Sequence, residues 1–246
     1  MNILKSEQSF SNGGGMFSVK MIRPGLIYQD VKRADWAFGP LARIDHAHLQ
    51  KGVVIGMHEH VNDEILSYMY KGDMLHEDSD GRSELISPTK NMLMGAGKSF
   101  FHQESAPNEN IEMLQIFIRP YAADLKPQVQ FAERTIEQNG DWTLIGGPKE
   151  LNAPLVIRQQ IAVFDVHGKS GQTLELPKVD GMTPWLYVMD GKAKVEGNTL
   201  NKGDAITGEV DELEEVTLLE NSTLVLFLVD LNAKMTFAGN FSGIKK

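Results

Sequence analysis

Short apolar runs recur along the chain, most of them alternating apolar and polar positions, with glycine, asparagine or aspartate between them. Alternation with a period of two marks strands with one buried face, and continuous apolar runs mark strands buried on both. In the first half the pattern predicts strands over 17–23, 25–28, 41–49, 64–70, 74–78, 83–86, 92–94, 99–104 and 112–119, with 52–57 leading into a further pair of inward positions. Lys71-Gly72-Asp73 and Ser79-Asp80-Gly81 supply turns between them. Strands this short and this evenly spaced predict an antiparallel sandwich or barrel.

Residues 120–150 break the pattern. Pro120 and Pro127 interrupt it, and 131–137 reads as one or two helical turns. Strands resume at 157–166, 173–176, 185–189, 193–196 and 216–230. The second half echoes the first: Tyr68-Met-Tyr-Lys-Gly72 is matched by Tyr187-Val-Met-Asp-Gly191, each followed by a strand and another glycine turn. The expected organisation is an N-terminal barrel over 1–125, a connection over 126–150 and a C-terminal barrel over 151–246.

Composition narrows the chemistry. Hydrophobic residues make up 41% of the 246, enough for two cores. With no cysteine, disulfides, thiolate catalysis and iron–sulfur clusters are excluded. A net charge of −9 without a basic run argues against direct nucleic-acid binding. No segment reaches the roughly 20 apolar residues of a membrane span, and the first residues lack a signal-peptide core, so a cytoplasmic protein is expected. Gly-x-Ser-x-Gly and phosphate-binding glycine motifs are absent.

What remains is metal chemistry. His58-Glu-His60 and His102-Gln-Glu104 each place two donor side chains at i and i+2, hence on one face of a strand. Three imidazoles and a carboxylate suit a divalent metal such as Fe, Mn, Ni or Zn. Glu64 is expected beside this set, accepting a hydrogen bond from a ligand imidazole and fixing its tautomer. Met57, Phe100 and Phe101 are expected in the core or the pocket wall. His46 and His48 form a rival pair, but no second donor pair accompanies them, so partly exposed strand histidines are expected. His76 reads as a surface or hairpin residue and His167 as a loop residue. Laying the halves together at Gly72 and Gly191 puts Pro177 and Val179 where His58 and His60 stand, and the second pair falls near Glu215 and Thr217. The second half thus has the barrel pattern without the ligands.

His58-Glu-His60-x3-Glu64, the turn at Gly72 and the glycine-rich loop running into His102 resemble the two cupin sequence motifs. The His102-x-Glu104 variant, Leu41-Ala-Arg-Ile-Asp45-His46 and His76-Glu-Asp78-Ser-Asp-Gly81 are similar to the pirins and pirin-like bicupins. The motifs cover roughly residues 20–120, and the remainder matches by layout. The resemblance implies an all-β fold of two tandem cupin (jelly-roll) β-barrels. It implies a metal in the first barrel held by His58, His60, His102 and Glu104: Fe(II) in the first place, with Mn, Ni, Cu or Zn as alternatives. It also implies one of two functions. One is a dioxygenase cleaving a small aromatic, flavonol-like substrate such as quercetin, with Glu104 as the base. The other is a non-enzymatic, metal- or redox-responsive module that binds a protein partner.

Overall fold

A computed structural model describes residues 1–209 and 211–246. The chain is built almost entirely of antiparallel strands, arranged as two barrels of the same design. In the first, a seven-stranded sheet has Glu64–Lys71, Ile111–Ile118 and Leu41–Leu49 at its centre, and a four-stranded sheet of Val54–His60, Phe100–Ser105, Met74–Asp78 and Ser83–Ile86 faces it. In the second, Thr183–Asp190, Ser222–Val229 and Ile161–Gly168 take the central places, and Thr173–Glu175, Glu215–Leu218, Lys192–Val195 and Asn198–Asn201 form the smaller sheet. This is the two-cupin architecture expected from the sequence. Among the described residues no helix is long and apolar enough to cross a membrane.

The repeat seen at Gly72 and Gly191 has a structural cause. Both have positive φ, 76° and 84°. At each, a Cβ would press to within 2.5 Å of backbone or side-chain oxygen from the neighbouring hairpin, Asn110 O at Gly72 and Ser222 Oγ and Asn221 O at Gly191. Only glycine meets both demands.

Because strand side chains alternate, each seven-stranded sheet has two jobs. One face packs against the other barrel: Ile44, Leu66, Tyr68, Leu114 and Ile116 meet Trp185, Tyr187, Val225 and Phe227 in one shared core. The opposite face lines its own barrel. In the second barrel that interior is filled by Leu186, Val188, Val195, Leu200, Val216 and Leu218. In the first it is mixed. Met69, Met92 and Met113 fill one end, while Ser67, Gln115 and Asp45 sit in register across three adjacent strands. Gln115 of that row reaches the candidate site, where it bonds Glu104.

Three expectations are corrected. Residues 24–28 form a 3-10 turn instead of a strand, as Pro24 at its first position favours. The segment 131–137 is not helical: Gln128–Glu133 is an edge strand paired with Lys90–Gly95 of the first barrel. Its Val129 and Phe131 pack against that barrel's core, and tertiary pairing overrides local propensity. The stretch 126–150 is therefore not a free connection, since Thr143–Gly147 already belongs to the second barrel's sheet. Asn2–Leu4, at the other end of the chain, also joins that sheet, against Ala205–Thr207.

Candidate metal centre

His58 and His60 lie on the Val54–His60 strand, and His102 on the adjacent Phe100–Ser105 strand directly opposite His58. Donor atoms of the three imidazoles all lie within 4.8 Å of one another. The Nε2 atoms of His58 and His102 are 3.1 Å apart. Two nitrogens each about 2.1 Å from one ion, at right angles, stand roughly 3.0 Å apart.

The hydrogen bonds on the far side of each ring decide which nitrogen carries the proton. His58 Nδ1 is 2.9 Å from the carbonyl oxygen of Gly56, which can only accept. His60 Nδ1 is 3.2 Å from a carboxylate oxygen of Asp63. His76 Nε2 is 3.3 Å from Asp78 Oδ2, which leaves His76 Nδ1 as the acceptor for His102 Nδ1 at 3.3 Å. All three ligand candidates therefore carry hydrogen on Nδ1 and present a bare Nε2. Among the described residues, His60 Nε2 is buried without any hydrogen-bond partner. A buried polar atom left so is costly unless a ligand completes it. Burial, aided by the three neighbouring imidazoles, pushes the His102 pKa down to about 2, so that ring stays neutral at physiological pH, as a metal donor must.

Asp63 reaches His60 because Asn62 turns the chain in the left-handed region, φ 51°. Asn62 is anchored there by its N–H to Gly97 O at 2.6 Å and by accepting from Asp124 N at 2.7 Å.

Glu104 stands apart from the three-imidazole cluster. Its strand bulges between His102 and Glu104, and its carboxylate lies 4.0 Å from His102 on the Nδ1 side of the ring. Gln115 Nε2 donates to both its oxygens, at 3.1 and 3.2 Å. Burial raises its pKa to about 7, against the opposing effect of the Gln115 amide.

Glu64 does not accept from a ligand imidazole. It is fully buried and takes the backbone N–H of Arg158 at 3.0 and 3.1 Å, with the guanidinium beside it at 3.5 Å. It ties the first barrel to the second, and Asp63 takes the tautomer-fixing place instead. His76 is fully buried on an inward strand position, not at the surface. Its signal was the alternation of Met74, His76 and Asp78, which the turn-like residues after them obscured.

His46, His48 and Glu112 make a second group of three. They lie on the face turned to the other barrel. His46 is buried, not partly exposed, between Tyr187 Oη at 2.7 Å and Glu112 Oε1 at 2.9 Å. The Lys202 ammonium sits 2.5 Å from that same Oε1 and also pairs with Asp190. Burial would raise the Glu112 pKa, but bonds from His46, His48 and Lys202 outweigh it and hold the group ionised. A cation already occupies this carboxylate, so the group acts as an ionic seam between barrels. His167 belongs to a similar seam on the Ile161–Gly168 strand, bonded to Asp165 and Thr223. Of the expected wall residues, Phe100 is buried, while Met57 and Phe101 point outward and are exposed.

The comparisons with known proteins agree with this architecture. Residues 18–118 match the Pirin family model and residues 144–231 match the quercetinase C-terminal cupin domain. A quercetin 2,3-dioxygenase of Escherichia coli K12 is 23% identical over 193 residues, 77% of this chain and 82% of that protein. Among solved structures, the bacterial pirin YhhW from Escherichia coli, in complex with nickel(II), superposes with a TM-score of 0.80 at 19% identity, covering 92% of this chain and 97% of that one. A quercetin 2,3-dioxygenase from Acinetobacter baumannii gives 0.74 at 21% identity, covering 94% and 78%. With a pirin domain in its first barrel and a quercetinase-type cupin in its second, the chain belongs to the pirin family of two-barrel cupins.

Proposed function

We propose that the first barrel holds a divalent metal on Nε2 of His58, His60 and His102, with Glu104 as the working base beside it, and that the protein is a dioxygenase for flavonol-like aromatics. The observation that carries the metal site is the buried, unpartnered Nε2 of His60, pointed at the same place as two other bare imidazole nitrogens. The substrate class rests on the activity named for the Escherichia coli and Acinetobacter relatives. Neutral imidazoles accept Fe, Mn, Ni, Cu and Zn alike, so the residues present fit the whole group of metals.

When bound, the metal lowers the pKa of an enol hydroxyl held against it. The chain's own residues do the remainder. Asp63, Gly56 and the His76–Asp78 pair hold the three rings in one tautomer and one orientation. Glu104, whose pKa near 7 suits proton exchange at neutral pH, takes the proton from the substrate hydroxyl. Gln115 keeps its carboxylate aimed. Burial of His60, His102 and Glu104 keeps water from competing.

The test is oxygen uptake with quercetin and related flavonols by protein loaded separately with Fe(II), Ni(II) and Mn(II). The reading expects flavonol-dependent uptake with at least one metal, absent in His58→Ala. A metal-loaded protein that leaves dioxygen untouched over every flavonol contradicts the reaction while leaving the metal centre standing.

A further inference from the structure

The end of the chain returns to the first barrel. Beyond the Ser222–Val229 strand, residues 236–245 leave the second barrel and meet the first at the end of the Val54–His60 strand. Thr236 N bonds Pro120 O at 2.8 Å. Asn240 fastens the segment there: its backbone N–H donates to Val61 O, its side-chain amide oxygen accepts from Val61 N and its side-chain amide nitrogen donates to Glu59 O, each at 3.0 Å. Arg119, itself clamped by Asp35, donates from Nε to Ser242 O at 2.8 Å, and Trp36 N bonds Lys245 O at 2.8 Å.

This segment terminates on the carboxylate that holds His60. Ser242 donates to Asp63 Oδ1 from its N–H at 2.8 Å and from its hydroxyl at 2.7 Å, and the Phe241 N–H lies 3.3 Å from both oxygens. The other oxygen, Oδ2, accepts the His60 Nδ1 proton. Asp63 is wholly buried. The Phe241 ring centre is 4.8 Å from that of His60, and the ring stacks on Phe117 at 5.6 Å. Gly239 makes the approach possible: a Cβ there would stand 2.2 Å from Ser242 Oγ and 2.5 Å from Asp63 Oδ1.

We infer that Phe241 and Ser242 are positioning residues of the metal centre, so that the donor strength of His60 in the first barrel is set by the far end of the chain. This rests on the metal reading above. A carboxylate facing an imidazole N–H orients the ring and makes its other nitrogen a better donor. Its effect depends on where the carboxylate is held, and three of its four described hydrogen-bond donors belong to the terminal segment. Phe241 adds an apolar wall that keeps water from the side of the ring.

The experiment titrates metal-free, full-length protein with Co(II) and reads affinity and the visible ligand-field spectrum together. Variants are Ser242→Ala, Ser242→Thr, Asp63→Asn, Phe241→Ala, Phe241→Leu and His60→Ala. The expected result is affinity weakened about 10-fold in Ser242→Ala and toward 100-fold in Asp63→Asn. The band shifts in both, Ser242→Thr returns to wild type, and Phe241→Leu lies closer to wild type than Phe241→Ala. Unfolding of each metal-free variant is measured in parallel. Wild-type affinity and spectrum in Ser242→Ala and Phe241→Ala overturn the inference. So does a loss of metal-free stability with an unchanged spectrum, which marks a merely structural role. If wild type takes up no Co(II), or His60→Ala binds it equally well, the metal reading itself fails and the inference falls with it.

Discussion

His76 Nδ1 lies 3.3 Å from His102 Nδ1, so a ring aimed at the centre rests on a second, fully buried imidazole. Asp78 fixes that second ring, and Arg82 and the backbone N–H groups of Asp80 and Arg82 fix Asp78. Replacing His76 by phenylalanine removes the acceptor and frees His102 to rotate or change tautomer. Metal affinity should fall about 10- to 100-fold. His76→Gln, which keeps an acceptor oxygen, should recover part of the loss. Calorimetric titration with Ni(II) checks both.

Metal uptake should stabilise the protein. Free metal at 100 times its Kd adds about 2.7 kcal/mol to the native state. For a chain of this size that corresponds to roughly 5 °C or more in Tm. His58→Ala should lose this increment while its metal-free Tm changes little, since the His58 ring is only partly buried and lies outside the apolar cores. Thermal unfolding with and without a chelator measures it.

The metal-free protein should carry two opposed pH dependences in one site. Glu104 has its pKa raised from the ordinary 4.5 to about 7 by burial. Its contribution to stability is fully present below about 4.5 and is lost as pH rises through 7. His102 has its pKa lowered from 6.5 to about 2 by burial and then by its imidazole neighbours. Its contribution is present above 6.5 and is lost as pH falls. Glu104→Gln leaves only the histidine arm. Its stability should therefore climb more steeply between pH 5 and 7 than that of wild type, the difference reaching at most about 3 kcal/mol. Urea unfolding across that range gives the two curves.

Glu64 and Arg158 join the barrels at a fully buried carboxylate. Arg158→Ala removes the guanidinium and leaves the charge with a backbone donor alone. The expected cost is about 3 kcal/mol in stability, with metal affinity unchanged. Gly95→Ala should act in the same direction but more weakly, because a Cβ there would displace only the movable Arg158 guanidinium and leave the backbone N–H bond to Glu64 in place. Denaturant unfolding paired with a metal titration separates this joint from the site.

Much of this was legible in the sequence. Apolar alternation set the strands from Leu41 to Ile118, and the Tyr68 and Tyr187 echoes reflect equivalent central strands that end in the same strained turn. The i, i+2 histidines needed only strand geometry to converge. What stayed hidden depends on contacts between distant parts of the chain. Glu64 and Arg158 are 94 positions apart, and His46 and Tyr187 are 141 apart. Asp63 was hidden differently, because its role follows from a left-handed turn at Asn62 that brings i+3 back onto His60. The strand over Gln128–Glu133 was obscured because Pro127 flanks it and its charged end reads locally as a helical turn, while its partner strand lies some forty positions earlier.

X-ray absorption at the metal edge of Ni(II)-loaded protein shows whether three bare Nε2 atoms converge on one cation. The expected coordination shell contains three imidazoles at about 2.1 Å, reduced to two in His60→Ala. A shell of oxygen ligands alone, or one with the same imidazole count in wild type and His60→Ala, would contradict it.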